Sequence, residues 1–176
     1  MKISFCKAFT LKILITFCFI TFSLTTVQFS TAAVTTKKGN SKLTKEVVST
    51  IINSMITASK KHDVEGIIKN LASDFMVRIN LPESLGGGLF VMDLAEYKKT
   101  MEESFAMTTE YQYDVSDISI TIQNDGESAL VTDIVTETIN INGVILSTKS
   151  YETTIIEILD GAPKVVFING RVKSLP

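Results

Sequence analysis

Asp133, Glu152 and Asn169 form the group in this chain best suited to chemistry. Each lies in a stretch that alternates apolar and polar residues, the pattern of a half-buried strand. Asp125-Gly126, Asn142-Gly143 and Asp160-Gly161 join these stretches as tight hairpins. Two-residue turns at those points would set Ile118 against Asp133, Asp133 against Glu152, Glu152 against Asn169 and Thr154 against Phe167. The polar row then lies on a face whose other members include Ile118, Val131, Val135, Ile156 and Phe167. Opposed carboxylates are costly unless one is protonated, bridged or wet. In an apolar pocket the conflict raises one pKa, which suits proton transfer. Asp133, between Val131 and Val135, is the expected base. Glu152 would share its proton, and Asn169 would donate a hydrogen bond to either. Two non-catalytic alternatives stand beside this: a salt-bridge cluster with Arg171, which lies near the row with Glu137, and a bulge that turns the row to solvent.

The remaining chemical residues offer less. His62 is the one histidine, and it falls in a turn after Lys60-Lys61, where an exposed role is expected. Arg78 lies in an apolar stretch and could pair with a pocket acid or point outward. Tyr97, Tyr111 and Tyr113 could supply hydroxyls, with packing as the default. One histidine and two cysteines, Cys6 and Cys18, leave no basis for a metal site built on those ligands, and no cofactor is expected. Gly86-Gly87-Gly88 lacks the following Lys-Ser/Thr of a phosphate loop and reads as a mobile rim.

Helical spacing comes first in the chain and strand spacing last, the order of an α+β domain. A helix is expected over 43–60, its broad apolar stripe running through Val47, Ile51 and Met55 with Val48, Ile52 and Ile56 beside them. Asp63 then caps a short helix over 64–71, and 75–81 reads as a strand. A loop follows over 82–88. Asp93 caps a third helix to about 107, which turns Leu94, Tyr97, Met101 and Phe105 inward. Four long strands follow at about 111–123, 128–141, 144–159 and 163–173. Strands of that length in a domain this size must bend, so strong curvature and at least one bulge are expected. Tyr97 and Met101 would close the pocket with Ile118, Val135 and Phe167.

Residues 1–33 read as a cleaved export signal. Lys2, Lys7 and Lys12 precede the uncharged run Ile13–Leu24, and small residues follow at Ser30-Thr31-Ala32-Ala33. The run is too short to span a bilayer. Residues 34–42 read as a tether, leaving a domain over 43–176. Seventeen basic residues less those three lysines leave 14 against 19 acidic ones. That balance argues against nucleic acid as a partner. A periplasmic or secreted location is expected, with no membrane contact once the signal is removed.

The stretch Ile56–Phe75, ITASKKHDVEGIIKNLASDF, resembles the opening of NTF2-like domains of the SnoaL and ketosteroid-isomerase type. The likeness extends over about 43–173, through a further helix and four antiparallel strands. It implies a cone of three N-terminal helices on a strongly curved, mainly antiparallel sheet, with an apolar pocket at its wide end. It also implies a homodimer formed through the outer sheet face, here near Thr132, Thr136, Tyr151, Thr153 and Ile168. The function expected from this is binding of a small apolar molecule. Isomerase or lyase chemistry on a pocket carboxylate, and a protein-interaction role, are the alternatives, so whether the protein is an enzyme stays open.

Overall fold

Phe75, Val48, Val77, Val131, Ile156 and Val165 are the side chains most completely withdrawn from water, and they come from one helix and four strands. Each contributes about 1.5–3 kcal/mol by burial. The computed structural model describes residues 42–141 and 143–175. Its elements are α1 (Lys45–Lys60), α2 (Val64–Ile68), β1 (Leu71–Leu81), β2 (Gly88–Asp93), α3 (Leu94–Met107), β3 (Glu110–Ile122), β4 (Ser128–Ile141), β5 (Val144–Leu159) and β6 (Ala162–Ser174). The strands form one curved sheet in the order β2-β1-β6-β5-β4-β3. All neighbours are antiparallel except β1 and β6, which run parallel. The α+β cone expected from the sequence is the observed fold. The signal over 1–33 and the tether up to residue 41 lie outside the described residues.

The helix ends follow side-chain chemistry. Thr44 accepts from the Val47 amide at the start of α1, and Asp63 accepts from the Gly66 amide at the start of α2. At α3, Asp93 and Glu96 exchange bonds as a capping box. The end of α1 is closed by Asp63 N–H donating to the Ala58 carbonyl and His62 N–H to that of Ser59. His62 occupies the left-handed position of this motif, φ 56°, where glycine is usual. Helix α1 packs on β3 and α2, and α3 packs on β1, β2 and α2.

One strand, β2, carries no alternating pattern. The chain after the triple glycine pairs with β1 as β2, Gly88 opposite Leu81 and Asp93 opposite Met76. Its run Leu89-Phe90-Val91-Met92 is apolar at every position, so alternation could not reveal it. Strand β1 also begins at Leu71, with a register shift before Met76, and α2 ends at Ile68.

Candidate functional site

Two bulges decide which side chains share the inner face of the sheet. In β3, Ser116 pairs with Ile134 and Ser119 with Thr132, so Asp117 and Ile118 together stand opposite Asp133. Asp117 takes the left-handed conformation, φ 54°, which aspartate tolerates better than most residues. On one side of this bulge, Ile120 and Ile122 lie with Val131 and Ala129; on the other, Val115 and Tyr113 lie with Val135 and Glu137. The extra residue therefore brings Tyr111 and Tyr113 onto the face that holds the acids. Ile118 sits in the bulge itself, 41% exposed, and does not close a pocket as expected.

The second bulge is in β6. Ile156 pairs with Val165 but Ile155 with Phe167, which leaves Val166 as the extra residue. Beyond it the expected pairing is displaced by one. Glu152 faces Gly170, Thr154 faces Ile168, and Asn169 faces Thr153. Asn169 and Phe167 therefore lie on the outer face, away from Asp133 and Glu152, and are removed from the site. Ile168, expected at a dimer contact, is buried inside. Arg171 pairs with Tyr151 on the outer face and is exposed, so it does not bridge the acids.

What the structure brings together is a set of three carboxylates and three phenols. Asp133 and Glu152 are direct cross-strand partners, as the hairpin turn predicted. Glu137 follows on the same face of β4, opposite Tyr113. Tyr97 projects from α3 and packs its ring on Phe75 at 5.4 Å. Tyr111 and Tyr113 stack at 6.0 Å. Val135 and Met101 are buried, as expected. His62 is not a free turn residue: its ring stacks on Phe105 at 4.5 Å and meets Tyr111 edge-on at 4.7 Å. The aromatic spacing across the α1–α2 turn, α3 and β3 is invisible to any local pattern.

The electrostatics are set by loss of water. Burial pushes the Glu152 carboxyl up to about 7, and the charges of Asp133 and Glu137 add to the rise. The neighbouring Ser150 hydroxyl opposes it, short of well-formed hydrogen-bond geometry. Burial also raises Asp133, and it raises Glu137 against the opposing effect of the Tyr111 hydroxyl. The phenols of Tyr97, Tyr111 and Tyr113 are all raised, first by burial and then by the carboxylates around them. They stay protonated at neutral pH and can donate. Glu152 is thus a group able to exchange a proton near pH 7, beside Asp133, whose carboxyl burial also raises.

Asp133 Oδ1 and Ser150 Oγ are buried without a hydrogen-bond partner among the described residues. A Cβ built on Gly170 would lie 3.1 Å from Ser150 Oγ and 3.7 Å from Glu152 Oε1, so a glycine here keeps these two atoms uncovered. Two surface clefts, of about 400 and 540 Å³, lie elsewhere. One runs along α1 and α2 near Asn53, Lys61 and Lys69, the other between β1 and α3 near Asp74 and Lys98. Neither includes the three acids. Among the described residues no three His, Cys, Asp or Glu side chains are grouped to hold a metal ion. No helix among them is long and apolar enough to cross a membrane.

No protein-family profile and no curated protein sequence matches the chain. Its fold does have relatives among solved structures. An NTF2-like protein of unknown function from Pseudomonas putida superimposes with a TM-score of 0.56 at 14% identity, covering 72% of this chain and 84% of that one. A putative scytalone dehydratase from Novosphingobium aromaticivorans gives 0.56 at 15%, covering 74% and 83%. A hexachlorocyclohexane dehydrochlorinase, LinA-type3, from Novosphingobium barchaimii gives 0.60 at 11%, covering 74% and 89%. At such identities the likeness establishes the NTF2-like fold and leaves the chemistry to the site.

Proposed function

We propose that the inner face of the sheet binds a small organic molecule that presents an apolar body to Val135 and the tyrosine rings and a polar group to the acids. The observation that carries this reading is the direct Asp133–Glu152 pair beside two buried, unpartnered polar atoms, Asp133 Oδ1 and Ser150 Oγ. Buried polar atoms are nearly always bonded, so orphans of this kind mark a place for a ligand group or an ordered water. Native mass spectrometry of the gently purified protein tests the reading. A retained organic mass that is lost in Asp133→Asn supports it. A ligand-free spectrum, with no thermal shift across a fragment library, counts against it.

A second reading has its own support. A carboxyl near pKa 7, fixed among three phenol donors, matches what a general base needs. Two of the neighbouring folds carry names that describe elimination reactions. On this reading Glu152 takes a proton from a small carbonyl compound while Tyr97 or Tyr113 polarises the oxygen. Solvent deuterium entering such a compound, at a rate that Glu152→Gln abolishes, is the supporting result. No incorporation in any compound that binds leaves the site a binding site. We also propose export, on the strength of the leader-like residues 1–33, and a homodimer through the outer sheet face. N-terminal sequencing that finds Met1 on the purified protein overturns the first.

A further inference from the structure

We propose that the molecule bound by the inner face is an organic cation, an ammonium group on an apolar, aromatic-sized body, held by Asp133 and Glu152, with Glu137 adding negative charge from the same face. This rests on the small-molecule reading above and names the ligand's charge.

The three acids share one face and lack a cation. The ion pairs of the described residues are Lys60–Asp114, Lys98–Glu65, Lys98–Glu102 and Lys99–Glu103, and none reaches them. Lys149 and Lys173 lie over the Tyr151 ring, at 5.8 and 5.1 Å, on the outer face. Such a cluster has either to hold protons or to receive a positive charge. An independent feature points to the second. Ser150 is only 7% exposed, its Oγ has no partner, and it lies beside the Glu152 carboxylate at Gly170. Asp133 Oδ1 is likewise unpartnered. Oxygen acceptors left open beside carboxylates suit a group made only of donors, and an ammonium is that group.

The rest of the setting favours an organic body over a bare ion. The acids are not grouped as metal ligands among the described residues. The surrounding side chains are aromatic, with Tyr111 and Tyr113 stacked and Phe105 at 5.6 Å from Tyr111. Ring faces of this kind attract an ammonium once it is desolvated. Asp133, Glu137 and Glu152 are half-buried rather than sealed.

Isothermal titration with three probes of one shape tests the inference: 2-phenylethylamine, 2-phenylethanol and phenylacetate, with amide NMR shifts locating each. The groups facing Glu152 are Asp133 and Glu137 on β4, Ser150 on β5, Tyr113 on β3 and Tyr97 on α3. His62 meets the cluster through Tyr111. At pH 8 the amine is expected to bind at least tenfold more tightly than the alcohol, with phenylacetate weakest, and to shift β3, β4 and β5. Lowering the pH to 6 weakens the amine several-fold. Glu152→Gln and Glu137→Gln each reduce the preference for the amine. His62→Gln keeps the pH dependence, which assigns it to the acids. If the alcohol binds those strands as tightly as the amine, or phenylacetate more tightly, the cation is wrong and the small-molecule site stands. If no probe shifts those strands, both readings fall.

Discussion

Glu152 illustrates how one side chain can set the pH behaviour of the whole domain. Its carboxyl ionises near 7 in the folded protein and near 4.3 in an unfolded chain, so ionisation opposes folding. Stability is highest where the group is protonated in both states, and it falls as the pH rises from about 4.3 to about 7. Urea melts of Glu152→Gln at pH 8 should show a gain on the order of 2–3 kcal/mol, allowing for partial access of water, and little gain at pH 4. Equal stability of the two proteins at pH 8 would contradict the buried carboxylate. Gly170 is the complementary case, since its value lies in what it lacks. Gly170→Val puts branched carbon against Ser150 Oγ and Glu152 Oε1. It should weaken any ligand of the site about tenfold while circular dichroism stays unchanged. Asp133 and Glu152 were legible in the sequence because one Asx-Gly turn sets their pairing, and no bulge intervenes between them. Asn169 was not, because Val166 adds a residue on the strand that carries it.

At the scale of elements, the β3 bulge is the device that builds the site. Inward residues are odd-numbered at Tyr111, Tyr113 and Val115, and even-numbered at Ile120 and Ile122. That change of phase was present in the sequence and could have located the bulge. Asp117→Gly should stabilise the domain by up to about 1 kcal/mol by relieving its left-handed backbone, with the site intact. Deleting Ile118 should straighten β3, because Asp117 alone then faces Asp133, and should leave Tyr111 and Tyr113 opposite Ile139 and Glu137 on the inner face. Ultraviolet titration should still find both phenols shielded, and their exposure in the deletion variant would show that the pairing register alone does not set their side. Strand β2 makes the matching point for pattern reading, since a run apolar at every position has no phase to read.

At the scale of the molecule, the outer face of the sheet remains to be covered. Tyr151 is 42% exposed there, on the face to which the β6 bulge turns Asn169 and Phe167. The proposed homodimer would bury this patch, and standard interfaces need about 1,200–2,000 Å². Sedimentation at tens of micromolar should show a dimer, and Tyr151→Asp should weaken it at least tenfold; a monomer throughout would remove the proposal. The sequence by itself determined the helix-then-strand order, the caps at Asp63 and Asp93, the hairpin register joining β4 to β5 and the inward stripe of α3. These are local, since each depends on residues within a few positions or on one turn. Only the tertiary structure decided the membership of the site. A single extra residue in a long strand inverts every side chain beyond it, and the cost of that inversion is set by the neighbouring strand and helices, not by the residues beside it. The same holds for His62, held in a left-handed cap by rings from α3 and β3 that lie far from it in the chain.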